Sequence, residues 1–434
     1  MKLFRVLPTA FAVATVIASS SVYANTEIEA FEQRLKELEN KVAEQSEQLQ
    51  YKDDQQPATL LSDIKVPEGI VFSGYARYGA AFQGSNAERV NTHGQLNGNA
   101  TGRLGNEQNG GEFQLAKLFK SETGAVWDLV FMVDHWSDNA WADDGGVNVK
   151  KIYAGAVNIF ESQPDLYVWA GRDFHQRPQT DINDYFWMMH DGQGGGFRNL
   201  DLGGIKLDLA AVGAVNGDYV EDSGRYALTS KLHGLKIGEA DLSFYANYGG
   251  SSEKLDDDEK IAGSAYQVAS ELMWAGQKFI MRYSHNAKDS VYDLEDEQRA
   301  MLFSLDGSIP LSEKANLQYL TAYQTLDVAG NESRANYNVI LRPTYQWNKV
   351  HSTWFETGYN VVDYDDIDAT NTSWKATLSQ NIAIGGETWS RPMIRFYTTV
   401  GNADNEYRQR DNNGKIIDSH DDTVTFGAMF EAWW

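Results

Sequence analysis

The sequence predicts an all-β chain folded as a transmembrane antiparallel β-barrel, with a short helical segment ahead of it. Three observations carry that reading. At the end of the chain Val424, Phe426, Ala428, Phe430, Ala432 and Trp434 share one face, while Thr425, Gly427, Met429, Glu431 and Trp433 share the other. Side chains alternate across a strand, so one face is apolar to the last residue and the other is mixed and polar. A strand of about ten residues with this pattern is long enough to cross a tilted bilayer. Next, the first two dozen residues have the form of an export signal. Finally, past that signal no stretch approaches the roughly 18 continuous apolar residues of a membrane helix. The mean hydropathy of −0.48 would by itself indicate a water-soluble chain. Barrels escape that test because lipid-facing and lumen-facing residues alternate.

Residues 1–24 read as a signal peptide. Lys2 and Arg5 supply positive charge, Val6 to Ile17 form a mostly apolar run, and Val22 and Ala24 put small residues where a signal peptidase inspects the chain. Residues 25–56 read as a helix with a heptad repeat. Ile28, Leu35, Val42 and Leu49 fall seven apart, and Phe31, Leu38 and Gln45 fill the other seam position. A helix this short is marginal alone in water, so the pattern implies partners. The expectation is a parallel, trimeric coiled coil projecting into the periplasm; a single amphipathic helix lying on the barrel is the other reading. Residues 57–70, opening with the breaker Pro57, are a linker.

From Val71 to Trp434 the chain reads as strands and turns. Ala240, Leu242, Phe244, Ala246 and Tyr248 alternate with Asp241, Ser243, Tyr245 and Asn247; Ile394, Phe396 and Thr398 alternate with Arg395 and Tyr397. Polar stretches at 84–111, 134–149, 250–262, 363–373 and 402–422 are expected to be long external loops. This length supplies 16 to 18 strands of roughly ten residues each. The 38 glycines, 22 tyrosines, 19 phenylalanines and 12 tryptophans suit tight turns and aromatic girdles. Zero cysteines exclude a disulfide framework, and a formal charge of −24 argues against nucleic acid as a partner.

Several strings, in order, resemble the maltoporins. Val71-Phe72-Ser73-Gly74-Tyr75-Ala76-Arg77 is similar to their first strand, and Arg103-Leu104-Gly105-Asn106-Glu107 to the approach to their second. Trp169-Ala170-Gly171-Arg172 with Gln176-Arg177, then Asp191-Gly192-Gln193-Gly194-Gly195-Gly196, resembles the segment through their inward-folded third loop. Arg342-Pro343 to Trp354, Trp389-Ser390-Arg391-Pro392-Met393-Ile394-Arg395-Phe396, and Phe426-Gly427 to Trp433-Trp434 complete it. The resemblance runs from about residue 70 to 434 and implies an 18-stranded, homotrimeric sugar porin of the bacterial outer membrane. The helical prefix is like that of the sucrose-porin and β-glucoside-porin branches.

A sugar channel needs flat apolar surfaces for the C–H faces of a pyranose and charged groups for its hydroxyl rim. The resemblance carries the aromatic track onto Tyr75, Trp141, Trp389 and Trp433, with Trp136 competing for the place of Trp141. It carries the polar track of the constriction onto Arg77, Arg103, Glu112, Lys150, Arg177 and Asp184. Lys150 and its neighbour Lys151 differ by one register, and alternation alone does not place Arg77. Three departures are visible. Phe186 stands where the family has a tyrosine, which removes a hydroxyl from the waist. One track ring falls near Gly110 or Gly111 and is missing; another falls between Trp274 and Phe279 without a clear replacement. The implied partners are disaccharides or oligosaccharides such as maltose, maltodextrins, sucrose or glucosides, with outer-membrane lipid and lipopolysaccharide around the barrel. No cofactor is expected, and acidic loops offer at most incidental calcium.

Other classes compete. A β-rich glycoside hydrolase would use paired carboxylates, but Asp365 and Asp366 sit in an Asp-rich turn without an evident partner. A general diffusion or anion-type porin lacking sugar sites and a soluble glycan-binding adhesin complete the alternatives. His135, His175 and His190 show no ligand spacing for a metal.

Overall fold

A computed structural model of the chain describes residues 69–137, 146–214, 224–251, 262–330, 332–410 and 415–434. The expected signal peptide, the heptad helix and all but the last two residues of the linker lie outside them, as does Trp141. The strands are β1 (Ile70–Gln83), β2 (Asn109–Lys120), β3 (Val126–Ser137), β4 (Val147–Val157) and β5 (Tyr167–Asp173). Two short strands, β6 (Gln179–Thr180) and β7 (Tyr185–Phe186), then pair with each other inside a loop. The wall resumes with β8 (Gly192–Asp201), β9 (Lys206–Ala214), β10 (Arg225–Ile237), β11 (Ala240–Ser251), β12 (Ser264–Trp274) and β13 (Gln277–His285). It continues through β14 (Arg299–Ser312), β15 (Ala315–Asp327), β16 (Arg334–Gln346), β17 (His351–Tyr364), β18 (Ala369–Ala383), β19 (Met393–Arg410) and β20 (Ile416–Trp433).

Leaving out β6 and β7, the strands form one 18-stranded antiparallel sheet in which each pairs with the next. β20 closes on β1, with Tyr75 opposite Trp433 and Gln83 opposite Thr425. Closure leaves no unpaired edge, the condition for a sheet in lipid. Alternation sorts the side chains as the sequence predicted. On β20, Val424, Phe426 and Phe430, with Trp434 just past the strand, are exposed on the outer face, while Thr425, Met429 and Glu431 are buried on the inner face. On β11, Phe244 and Tyr248 face out, and Tyr245 and Asn247 face in, so the ambiguous double-aromatic pattern resolves cleanly.

The loop boundaries require a correction. Residues 134–137 and 147–149, 363–364 and 369–373, and 402–410 and 416–422 are strand, not loop. β5 has 7 residues, whereas β19 and β20 have 18 each. Apolar alternation marks only the part of a hairpin that touches lipid. Beyond it the ladder continues between polar residues, as where Asn405 lies opposite both Asn371 and Ser419.

At the end of the barrel that carries the longer connections, three loops among the described residues fold against the inner wall. The loop 84–108 meets the loop 174–191 where the Asn99 and Arg103 amides donate to the Asn183 and Ile182 carbonyls at 2.7 and 3.0 Å. The loop 286–298 meets it through Asp289, which accepts from the Tyr185 hydroxyl at 2.6 Å. Trp187 and Met188 anchor the middle loop by packing with Ile280, Leu302, Leu320 and Ile340 of the wall. Burying side chains of this size is worth about 1.5–3 kcal/mol each, enough to hold a loop in place.

Candidate functional site: an aromatic row beside buried charges

Four rings stand in a row on the inner wall. Trp136, near the end of β3, stacks on Tyr75 of β1 at 6.2 Å and 29°. Tyr75 stacks on Trp433 of β20 at 6.5 Å and 23°. Trp433 meets Trp389, in the short connection 384–392, at 6.4 Å and 42°. The row runs from the long-loop side toward the short-turn side. Guanidinium groups lie over two of its members: Arg77 is 5.2 Å from the Trp136 centroid and Arg391 4.4 Å from that of Trp433.

Trp136, the competitor of Trp141 for a place in the track, stands beside the position near Gly110 where a track ring was expected to be missing. Gly110 lies opposite Trp136 in the β2–β3 register. A Cβ built on Gly110 would sit 2.7 Å from Cδ2 of the Trp136 ring. The indole therefore lies over the bare glycine backbone and fills the gap from the neighbouring strand. Cross-strand pairing, invisible in the linear sequence, supplies the ring. The second missing ring stays missing among the described residues: Trp274 and Phe279 are exposed on the outer side, and the buried inward position is Ile280.

Two carboxylates organise the buried charges. Glu431 accepts from the Tyr75 hydroxyl (3.0 Å) and pairs with Arg103 (2.9 Å), Arg391 (2.5 Å) and Arg395 (3.2 Å). Glu356 pairs with Arg342 (2.5 Å) and Lys375 (3.2 Å) and accepts the Leu104 amide at 2.9 Å. Arg342 also donates to the Ile182 carbonyl at 3.2 Å, and Lys375 to the Leu104 carbonyl at 2.6 Å. Glu356 thus clamps both the 84–108 and 174–191 loops to the wall. Glu107 pairs with Arg395. Burial would raise its carboxyl, but Arg395, with Arg103 and Arg77, outweighs that and holds it below the ordinary carboxylate range. Of the residues in this network, Tyr75, Arg77 and Arg103 were candidate site residues from sequence, whereas Glu431, Glu356, Arg391 and Arg395 were not. Glu431 and Arg395 occupy inward positions of strands whose alternation was legible, which was the available signal.

The remaining candidates distribute along the lumen. Arg77 points inward, buried, and pairs with Asp184 of the 174–191 loop at 2.6 Å. Glu112 is buried beside Tyr75, its partner in the β1–β2 register. A bulge in β4 resolves the lysine ambiguity by turning both residues inward: Lys150 reaches Asp134 at 3.4 Å and Lys151 reaches Asp173 at 3.5 Å. Phe186 lies against Arg177, whose guanidinium is held between it (4.1 Å) and Phe174 (4.0 Å). Arg177 also pairs with Asp191 at 3.2 Å. Burial pushes the Asp191 carboxyl up to about 6, against the pull of Arg177 and the His175 amide.

Among solved structures the chain is similar to OccK2 (OpdF) of Pseudomonas aeruginosa, at 10% identity and a TM-score of 0.49 over 85% of this chain and 99% of that one. It is similar to an anion-selective porin from Comamonas acidovorans at 14% identity and 0.42 over 84% and 99%. A third is OmpT of Vibrio cholerae in its trimer form, at 10% identity and 0.41 over 84% and 99%. The LamB porin model matches residues 70–434, from the first strand to the last residue, and the chain therefore belongs to the LamB porin family of outer-membrane channels.

Proposed function

We propose that this channel conducts sugars by facilitated diffusion along the row Trp136, Tyr75, Trp433 and Trp389. The continuity of the row, with ring spacings of 6.2, 6.5 and 6.4 Å, is the observation that carries the reading. Each ring presents a flat apolar surface to the C–H face of a pyranose. Equivalent sites in series let the sugar step forward without deep trapping, as conduction requires. The partly exposed polar groups Asp184, Lys150, Arg177 and Asp191 would meet the hydroxyl rim. Phe186, under Arg177, offers an apolar waist without a hydroxyl, which favours kinked disaccharides over tight maltodextrin binding.

The working assembly in this reading is a homotrimer in the outer membrane, surrounded by lipid and lipopolysaccharide. Residues 1–24 are removed on export, and 25–56 form a periplasmic coiled coil joined by the linker 57–70. No cofactor enters the mechanism. The test is sugar block of ion current through the purified channel in planar bilayers. Concentration-dependent block by sucrose, maltose or aryl glucosides is expected, and its absence for a broad panel would assign a general diffusion porin instead.

A further inference from the structure

We infer that Glu431 is the positioning residue of the aromatic row: it fixes Tyr75 and Trp433 in stacking geometry without itself contacting sugar. The inference rests on the sugar-channel reading and goes beyond it. Glu431 is 2% exposed. Its Oε1 accepts from the Tyr75 hydroxyl at 3.0 Å and lies 2.9 Å from Arg103. Its Oε2 accepts from Arg391 Nε and Nη2 at 2.9 and 2.5 Å and from Arg395 Nη2 at 3.2 Å. A carboxylate offers about four acceptor positions, so none is left for a sugar hydroxyl.

What Glu431 holds is specific to the track. Tyr75 is one ring of the row. Arg391, clamped through two nitrogens, lies 4.4 Å over the centroid of Trp433 and so covers one face of a second ring. Arg103 comes from the 84–108 loop, Arg391 from the 384–392 turn and Arg395 from β19. One carboxylate therefore ties a loop, a turn and two wall strands to the same two rings. Glu356 is equally buried and equally well paired, but its partners hold loop backbone and no ring of the row. The comparison separates a loop clamp from a ring clamp. A general structural role for buried ion pairs would not predict that difference.

The experiment compares wild type, E431Q, R391K and Y75F in planar bilayers, with sucrose and maltotriose as blockers. R391K keeps the charge but loses the planar fork that grips Oε2 and covers Trp433. Y75F removes only the hydroxyl that Glu431 accepts. Each variant should weaken sugar block by about fivefold or more; R391K and Y75F, which keep the buried carboxylate, should assemble as wild type does, whereas E431Q leaves Arg103, Arg391 and Arg395 without their counter-charge and should lose stability as well. In the double variant Y75F with E431Q the effects should fall short of additive, because both remove the same contact. Should E431Q fail to assemble, R391K and Y75F, which keep the carboxylate, decide the matter. Unchanged block in R391K and Y75F, in a channel whose wild type is blocked, would overturn the positioning role and leave the sugar reading intact. Absence of block in the wild type would overturn both.

Discussion

Replacing Trp433 by alanine gives the sharpest test of the row. Trp433 is its central link, 6.5 Å from Tyr75 and 6.4 Å from Trp389. Removing it leaves two rings on one side of a gap and one on the other. Stacking of a flat ring on an aromatic side chain is worth roughly 1–3 kcal/mol by alanine substitution. At 1.4 kcal/mol per factor of ten, sugar block should weaken about 5- to 150-fold. The change should appear as faster sugar release, since affinity differences among variants of one site lie mainly in the off-rate. The barrel should survive. Trp433 faces inward, while the closing strand's lipid contacts come from Phe426, Phe430 and Trp434, and the seam hydrogen bonds of Gly74 with Trp434 are backbone to backbone. Arg391, which is buried, loses its ring at a cost of about 2 kcal/mol but keeps its ion pair with Glu431. Current-noise analysis with sucrose and maltotriose measures both rate constants. An off-rate equal to wild type for both sugars would show that sugar does not travel on this face.

Three further outcomes follow from the geometry. Trp136→Ala should weaken block by removing one ring, and Gly110→Tyr should not restore it, because a side chain at the positive-φ Gly110 would run into the His135 carbonyl oxygen of the paired strand whether or not the indole is present. Glu356→Gln should leave Arg342 and Lys375 buried without their carboxylate, a loss of about 3–5 kcal/mol; proteolysis of the 84–108 loop and larger current fluctuations would report the release. Asp191, with its carboxyl raised to about 6, is ionised at neutral pH and becomes protonated below that value. Arg177 then loses its counter-charge, so reversal potentials should shift toward anions between pH 7.5 and 5, and Asp191→Asn should abolish the shift.

The strands were legible because lipid and lumen impose period-two alternation, and that pattern put Trp433 on the polar, inward face of the last strand. Alternation failed where the backbone left the regular ladder. The β4 bulge turns Lys150 and Lys151 to the same side, which no strict period allows. Strand ends in the polar hairpins were read as loops because their residues no longer distinguish two solvents. Trp136 was named from the sequence, but its place over Gly110 was unreadable for a different reason: it depends on which residue of β3 faces which residue of β2. Glu431 was placed on the correct face, but its partners come from a loop, a turn and another strand, and convergence of that kind appears only once the barrel is closed.

Closure also explains why the rings sit where they do. Tyr75 and Trp433 belong to the first and last strands and meet because β1 and β20 pair with these two residues opposite each other. A slip of one residue would send Trp433 toward lipid and Trp434 into the lumen, since every side chain changes face. The outer surface guards against that slip. Trp434 packs against Phe72 and Phe113 at 5.4 and 5.9 Å, over Gly74, where a Cβ would sit 2.9 Å from the indole. Arg77, opposite Glu431 in the same register, reaches inward to Asp184. Apolar packing outside and ion pairing inside therefore select the same register, and that register alone brings Tyr75 against Trp433. The central contact of the proposed sugar track forms only after the sheet has closed on itself.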